Sequence, residues 1–137
     1  MWRSTKGIVF RRIEGGRLKI TKEALIIFDN FIQDEYKKKE AGGVLLGRMM
    51  KNSDDVIIDM VSPPQKKDKR KRTYFKRNNE HQNIINEEWE KSGGTCNYLG
   101  EWHTHPENNP TPSSIDINTW KRQILSLIHI SEPTRPY

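Results

Sequence analysis

The sequence has a single cysteine in 137 residues and no run of apolar residues long enough to cross a membrane. A lone thiol, Cys96, cannot form an internal disulfide, which excludes a disulfide-stabilised scaffold and is typical of a reducing cytoplasm. A membrane-spanning helix needs about 20 consecutive apolar residues. The first ten residues also lack the apolar stretch that a secretory signal requires. These absences predict a cytoplasmic protein with no membrane partner.

The last thirteen residues, 125–137, read LSLIHISEPTRPY. This string resembles an in-frame translation of a transposon-end adapter used in preparing sequencing libraries. We therefore predict that residues 125–137 are a non-native, adapter-derived tail. Residues 1–124 are then one domain that is incomplete at its C-terminus, a size that allows a single small core. The formal net charge of +6 is the same with or without this tail.

Short apolar runs separated by turn-forming residues predict alternating strands and helices. The expected elements are a hairpin over 8–20, a helix capped by Thr21 and ending near 37–39, strands over 42–47 and 56–61, a solvated loop over 65–77, a helix over 79–92, a strand over 98–105 and a helix over 114–124. This pattern is typical of an α/β fold. We also predict that Cys96, Trp102 and Trp120 are packing residues and that His81 is exposed on the second helix.

Two histidines, in the sequence His103-Thr104-His105, close the last predicted strand. Alternation along a strand directs both imidazoles to the same side, with Cα atoms about 6.5 to 7 Å apart, so that they can share one metal ion. Asp116 follows after a proline-rich turn that could fold it back as a third ligand. Two histidines and a carboxylate with an open fourth position form a catalytic zinc site, whereas structural sites fill all four positions, mostly with cysteine.

A zinc hydrolase also needs a base for the attacking water and a donor for the developing oxyanion. Glu40 is the candidate base, because the Ala41-Gly42-Gly43 that follows it permits close backbone approach. Ser113 is the candidate donor, since it lies three residues before Asp116. The alternatives are that Glu40 is a solvated carboxylate at a helix end and that Ser113 is an N-cap.

These residues together resemble the JAMM motif of the JAB/MPN metalloproteases, which is a glutamate, then HxH, seven residues, a serine, two residues and an aspartate. Glu40 in EAGGVLLG, the HTHP segment, Ser113 and Asp116 fill every position, and the resemblance covers roughly residues 21–123. It implies a deaminase-like α/β fold with a mixed central sheet flanked by helices. It also implies zinc-dependent cleavage of an amide, often the isopeptide bond after the C-terminal glycine of a ubiquitin-like protein.

The same resemblance implies a role for each residue of the motif. His103, His105 and Asp116 hold one Zn²⁺, Glu40 acts as general base and then general acid, and Ser113 supports the tetrahedral intermediate. The segments GEWHTHPE and PSSID are most similar to bacterial JAB proteins of integrative elements and anti-phage operons. These include deconjugating peptidases encoded beside cGAS-like nucleotidyltransferases in CBASS systems.

The expected partner is therefore a protein substrate with a ubiquitin-like C-terminal tail or its conjugate, with a cGAS-like nucleotidyltransferase as one candidate. A JAB peptidase that processes a linear precursor or a sulfur-carrier-type protein would share the site, and it stays open as an alternative.

Eight lysines and arginines lie between Lys66 and Arg77, opposed only by Asp68. Clustered basic residues can neutralise phosphates, so a non-enzymatic nucleic-acid-binding module is a further alternative. No recognisable nucleic-acid-binding fold surrounds this run, and charge runs on loops are usually only solvated. We therefore favour an exposed loop that docks against an acidic face of the protein substrate, without nucleic acid as a partner.

Overall fold

The computed structural model describes residues 7–13, 15–106 and 117–131, and the side chains of residues 117–119 lie outside that description. The elements in chain order are β1 (Ile8–Arg11), β2 (Arg17–Ile20), α1 (Lys22–Phe31), β3 (Gly42–Met49), β4 (Val56–Val61), β5 (Lys69–Lys71), β6 (Tyr74–Lys76), α2 (Glu80–Lys91), β7 (Asn97–His103), α3 (Ile117–Ser126) and β8 (Ile128–Ile130). None of the helices in this part of the chain is long and apolar enough to span a bilayer.

The main sheet has six strands in the order β1-β2-β4-β3-β7-β8. Within it β2 and β4 run parallel, and the other neighbouring pairs run antiparallel. The central strand β3 is buried from Gly42 to Gly47, because it has strands on both edges and packed elements on both faces. The structure therefore confirms a mixed sheet flanked by helices.

Helices cover both faces of this sheet. Alternation along β3 directs Leu45 to one face and Val44 to the other. The first face packs against α1 and α3 and contains Trp102, whose ring meets Phe28 edge-on at a centroid distance of 5.1 Å. On the second face α2 packs against the sheet beside Cys96. Cys96, Trp102 and Trp120 are all buried, which confirms their prediction as packing residues.

Helix α1 begins where the sequence predicts and ends earlier. The Oγ1 of Thr21 accepts a hydrogen bond from the backbone N–H of Ala24, which confirms Thr21 as the N-cap. The helix ends at Phe31 instead of near residues 37–39, so that prediction was wrong. The reason is Gln33, whose buried side-chain amide donates to the carbonyl oxygens of Lys38 and Arg72.

Residues 69–76 form a hairpin, and the prediction of a solvated loop was wrong. Strands β5 and β6 pair antiparallel with Arg70 opposite Phe75, and these two side chains are half-buried while their neighbours are exposed. In each strand one inward-facing residue lies between two exposed ones, which is the two-residue period of a strand, and the high charge of the segment concealed it. The prediction that His81 is exposed was also wrong, since His81 is fully buried.

The end of the described chain extends the sheet. Helix α3 continues to Ser126, and β8 pairs with β7, with Ile128 opposite Trp102. The predicted start of this helix at residues 114–116 lies outside the described residues. That residues 125–137 are non-native stays a prediction, and we place no functional role on them.

Candidate active site

His103 and His105 meet at the end of β7, where His103 is the last residue of the strand. Their ring centroids lie 4.8 Å apart, with the ring planes at 77°. Both imidazoles therefore lie on the same side of the chain, as the alternation predicts. His103 is half-buried and His105 is exposed. Two imidazoles at this separation can contact a single metal ion that is open to solvent.

The electrostatics of His103 favour metal binding. Burial lowers the pKa of His103, and the neighbouring His105 and His129 lower it further, while Glu101 acts in the opposite direction. An imidazole must lose its proton before it can ligate a metal. The lowered pKa therefore keeps His103 in its ligand form at neutral pH.

Glu40 lies beside the hairpin, which binds both of its peptide groups. The backbone N–H of Glu40 donates to the carbonyl oxygen of Lys71 at 2.8 Å, and its own carbonyl oxygen accepts from Nε of Arg70 at 2.7 Å. Burial raises the pKa of the Glu40 carboxyl group, and the attraction of His105 partly offsets that rise. A raised pKa suits a group that must both accept and release a proton.

A cleft of about 320 Å³ brings the histidine strand and the glutamate of the motif together. Its walls are the hairpin, the end of β7 and the segment before β3. The lining residues are Glu40, Thr73, Tyr74, Phe75, Arg77, Glu101, Trp102 and His103. Two predicted site residues that are far apart in sequence, Glu40 and His103, thus face one cavity.

Gly42 and Gly43 make this arrangement possible because their backbones lie close to other chain segments. A Cβ atom on Gly42 would lie 2.6 Å from the carbonyl oxygen of Trp102 and 2.8 Å from the ring of Phe75. A Cβ atom on Gly43 would lie 2.2 Å from the carbonyl oxygen of Ser62. The prediction of close backbone approach after Glu40 is therefore confirmed.

Thr104, which the sequence analysis did not single out, connects the two halves of the site. It lies between the histidines but points inward and is buried. Its Oγ1 accepts from the N–H of Ala41 at 2.9 Å and donates to Oε1 of Gln33 at 2.9 Å. Its own N–H donates to the carbonyl oxygen of Ala41 at 2.8 Å. Strand alternation predicts that it faces inward, but its hydrogen-bond partners lie too far away in sequence to be predicted.

We expect Thr104→Val to destabilise the protein by about 1–3 kcal/mol, because the N–H of Ala41 and the side-chain carbonyl of Gln33 would each lose a buried partner. Valine has nearly the same shape, so lost packing contributes little. The measurement is the free energy of unfolding from urea denaturation. Thr95→Val is the matched control, since Thr95 is exposed and its replacement should stay within about 0.5 kcal/mol. Equal stabilities of the two variants would contradict the role of Thr104.

Ser113 and Asp116, the other two predicted site residues, lie outside the described residues. Within the described ranges, no three His, Cys, Asp or Glu side chains are grouped closely enough to hold a metal ion. The donors that are described, two imidazoles at the end of one strand, fit the nitrogen ligands of zinc. The third ligand and the oxyanion donor stay predictions.

A known protein family matches most of the chain. The family described as prokaryotic homologs of the JAB domain matches residues 31–136. The match contains Glu40, the two histidines and the hairpin.

Three curated relatives, each named CD-NTase/cGAS isopeptidase, are also similar. The Vibrio cholerae protein is 53% identical over 51 residues, which cover 37% of this chain and 33% of the relative. The Pseudomonas aeruginosa protein is 52% identical over 42 residues, 31% of this chain and 27% of the relative. The Escherichia coli protein is 50% identical over 46 residues, 34% of this chain and 30% of the relative. The similarity thus spans about a third of the length of these relatives.

Proposed function

We propose that this chain, which belongs to the family of prokaryotic homologs of the JAB domain, is a zinc-dependent isopeptidase of the JAMM type. The observation that carries the proposal is the shared cleft of Glu40 and His103, with His105 packed against His103. A base of raised pKa in the same cleft as a histidine suits metal-assisted hydrolysis of an amide.

Each residue has a distinct task in this proposal. His103, His105 and Asp116 would hold Zn²⁺, which when bound supplies a Lewis acid beside the scissile carbonyl. Glu40 accepts a proton from the attacking water and then delivers it to the departing amine nitrogen, so that the leaving group departs as a neutral amine. Strand β5 of the hairpin binds both the N–H and the carbonyl oxygen of Glu40 and thereby holds its side chain at the cleft. Ser113 would donate to the oxyanion.

The proposed substrate is a cGAS-like nucleotidyltransferase joined through its C-terminal glycine to another molecule. This proposal is supported by the three curated relatives, whose names give CD-NTase or cGAS as the target. The cleft is compatible with an extended C-terminal tail, because Tyr74 and Phe75 supply apolar walls and Arg77 and Glu101 supply polar ones. We place this activity in the cytoplasm, as part of anti-phage defence.

A second candidate is a JAB peptidase that trims a linear precursor or a sulfur-carrier-type protein. It would use the same catalytic residues, so the leaving group alone separates the two functions. The nucleic-acid alternative would have to use the other basic residues of the run first. Nε of Arg70 already donates to the carbonyl oxygen of Glu40, and Nε of Arg77 to the carboxylate of Glu101.

The test is cleavage of two matched substrates by the zinc-loaded protein. One is a CD-NTase whose C-terminal carboxyl is linked to the lysine side chain of a fluorescent peptide, and the other carries the same peptide through a linear α-amide bond. We expect cleavage of the isopeptide substrate, inhibition by a zinc chelator and recovery on adding Zn²⁺. Preferred cleavage of the linear substrate would favour the precursor-processing alternative. Cleavage that survives complete zinc removal would contradict the metalloprotease assignment.

A further inference from the structure

Three buried polar side chains form a hydrogen-bonded chain behind the hairpin. Ser62 follows β4, Asp68 precedes β5, and His81 lies in the first turn of α2. Oγ of Ser62 lies 2.6 Å from Nδ1 of His81, and Nε2 of His81 lies 2.7 Å from Oδ2 of Asp68. The side chains of all three residues are 0% exposed. These three residues, the Ser62–His81–Asp68 chain, are separate from the proposed metal ligands.

This group has the composition of a hydrolytic Ser-His-Asp triad but not the access that one needs. A nucleophilic serine must reach a substrate carbonyl, whereas Ser62 has no exposed surface. Oγ of Ser62 also accepts a hydrogen bond from the backbone N–H of Val44 at 2.8 Å. Its hydroxyl hydrogen is then available for Nδ1 of His81. The Ser62–His81–Asp68 chain therefore connects β3, β4 and α2 and does not act as a second active site.

Asp68 closes the base of the hairpin. Its Oδ2 accepts from the backbone N–H of Gln65 at 2.7 Å and from Nε2 of His81, and its Oδ1 accepts from the backbone N–H of Asn78 at 2.7 Å. Gln65 precedes β5 and Asn78 follows β6, so one carboxylate joins the two ends of the hairpin to α2. An asparagine cannot do the same, because its NH₂ group would face one of these N–H donors.

The hairpin in turn contacts the proposed catalytic glutamate. The ring of Phe75 meets the ring of His81 edge-on at 6.5 Å and also forms a wall of the cleft. On the opposite strand, Arg70 and Lys71 bind the carbonyl oxygen and the N–H of Glu40. A displacement at the base of the hairpin would therefore move both Glu40 and the cleft wall.

We propose that Asp68 and His81 are positioning residues. They hold the hairpin in place and thereby hold Glu40 in the position in the cleft that cleavage requires. This inference rests on the proposed function for its catalytic consequence, while the structural part concerns the hairpin alone. A misplacement of about 1 Å in an active site can cost roughly 100-fold in rate. We expect Asp68→Asn and His81→Phe each to lower kcat/KM about 10- to 100-fold. The loss should be mainly in kcat, calculated per molecule of folded protein.

The experiment combines kinetics with hydrogen exchange on the zinc-loaded protein. Amide exchange of β5 and β6 needs no substrate, and we expect it to be about tenfold faster or more in both variants. His81→Gln serves as the conservative rescue, since its amide N–H can still donate to Asp68, and it should recover part of both losses. Val56→Ala is the matched control. It truncates a buried side chain at the other end of β4 and should lower stability without altering hairpin exchange or kcat.

The outcomes separate this inference from the proposed function. If the wild-type protein cleaves the conjugate and the variants match it in exchange and in kcat, the inference is wrong and the proposed function stands. If Val56→Ala loses as much kcat as His81→Phe at equal stability, the role of the Ser62–His81–Asp68 chain is merely structural and the inference is overturned. If the wild-type protein does not cleave, the proposed function fails and hairpin exchange alone decides the positional role. Ser62→Ala, with the same expected direction, replaces His81→Phe should that variant not fold.

Discussion

Glu40→Gln is expected to abolish isopeptide cleavage while the protein keeps its zinc and its fold. Glutamine has nearly the same size as glutamate, but its amide cannot accept a proton from the attacking water. Loss of a general base typically costs about 10²- to 10⁴-fold in rate. The measurement is kcat on the isopeptide substrate together with the zinc content of the purified variant. Retained zinc with lost cleavage would separate the base from the metal ligands.

The stability of the same variant provides an independent check. Burial raises the pKa of Glu40 above 4.5, its ordinary value. Because the pKa is raised in the folded state, the folded protein binds this proton more tightly than the unfolded protein does. The group therefore stabilises the folded state when the pH is below the ordinary pKa, and this contribution is lost as the pH rises through the folded-state pKa. At neutral pH the half-buried charge of Glu40 is therefore unfavourable for folding, so metal-free Glu40→Gln should unfold at the same temperature as the wild type or at a higher one. A clearly lower melting temperature would indicate a structural role.

Glu35→Gln is the matched control for this prediction. Glu35 is exposed and lies five residues earlier on the same connection. The chemical change is identical, but its side chain does not line the cleft. We expect unchanged kcat and unchanged zinc content. If Glu35→Gln lost as much activity as Glu40→Gln, the loss would reflect net charge and not the position of the base.

His105→Asn is expected to remove zinc, and cleavage with it, without unfolding the protein. Changing the residues that merely orient a metal ligand typically lowers metal affinity 10- to 100-fold, so removing a ligand should cost more than about 100-fold. The fold should be nearly unaffected, because His105 is exposed and exposed substitutions usually stay within about 0.5 kcal/mol. The measurements are zinc affinity by competition with a chromogenic chelator and the melting temperature of the metal-free protein.

His129 is the informative control for the histidine prediction. Its ring stacks on that of His103 at a centroid distance of 5.4 Å, with the planes at 10°. It lies in the segment predicted to be a non-native tail, so His129→Asn should keep full zinc affinity. If His129→Asn lost zinc and His105→Asn retained it, the predicted ligand set would be wrong.

Local sequence signals predicted the elements whose stabilising partners are close in sequence. Thr21, for example, caps α1 through the backbone N–H of Ala24, three residues away. The placement of the two imidazoles on one side follows from the two-residue period of a strand. The identity and spacing of the JAMM-like residues were sufficient to indicate the JAB family.

Longer-range contacts decided the features that the sequence analysis missed. The end of α1 depends on Gln33, whose amide reaches the carbonyl of Arg72, 39 residues away. His81 has the polarity of a surface residue, yet it is buried because Ser62 and Asp68, 19 and 13 residues earlier, satisfy both of its ring nitrogens. A buried polar group is tolerated only when such partners are present. No local pattern reveals whether they are.

The sequence by itself thus determined the family, the strand that ends at His103 just before His105, and the identity of Glu40 as the candidate base. Only the tertiary structure showed that the basic run is a hairpin, that it binds the main chain of Glu40, and that Thr104 joins the histidine strand to the segment before β3. The physical reason is the range of the interactions. Helix caps and strand periodicity act over a few residues, whereas the burial and pairing of polar groups depend on which distant segments the folded chain brings together.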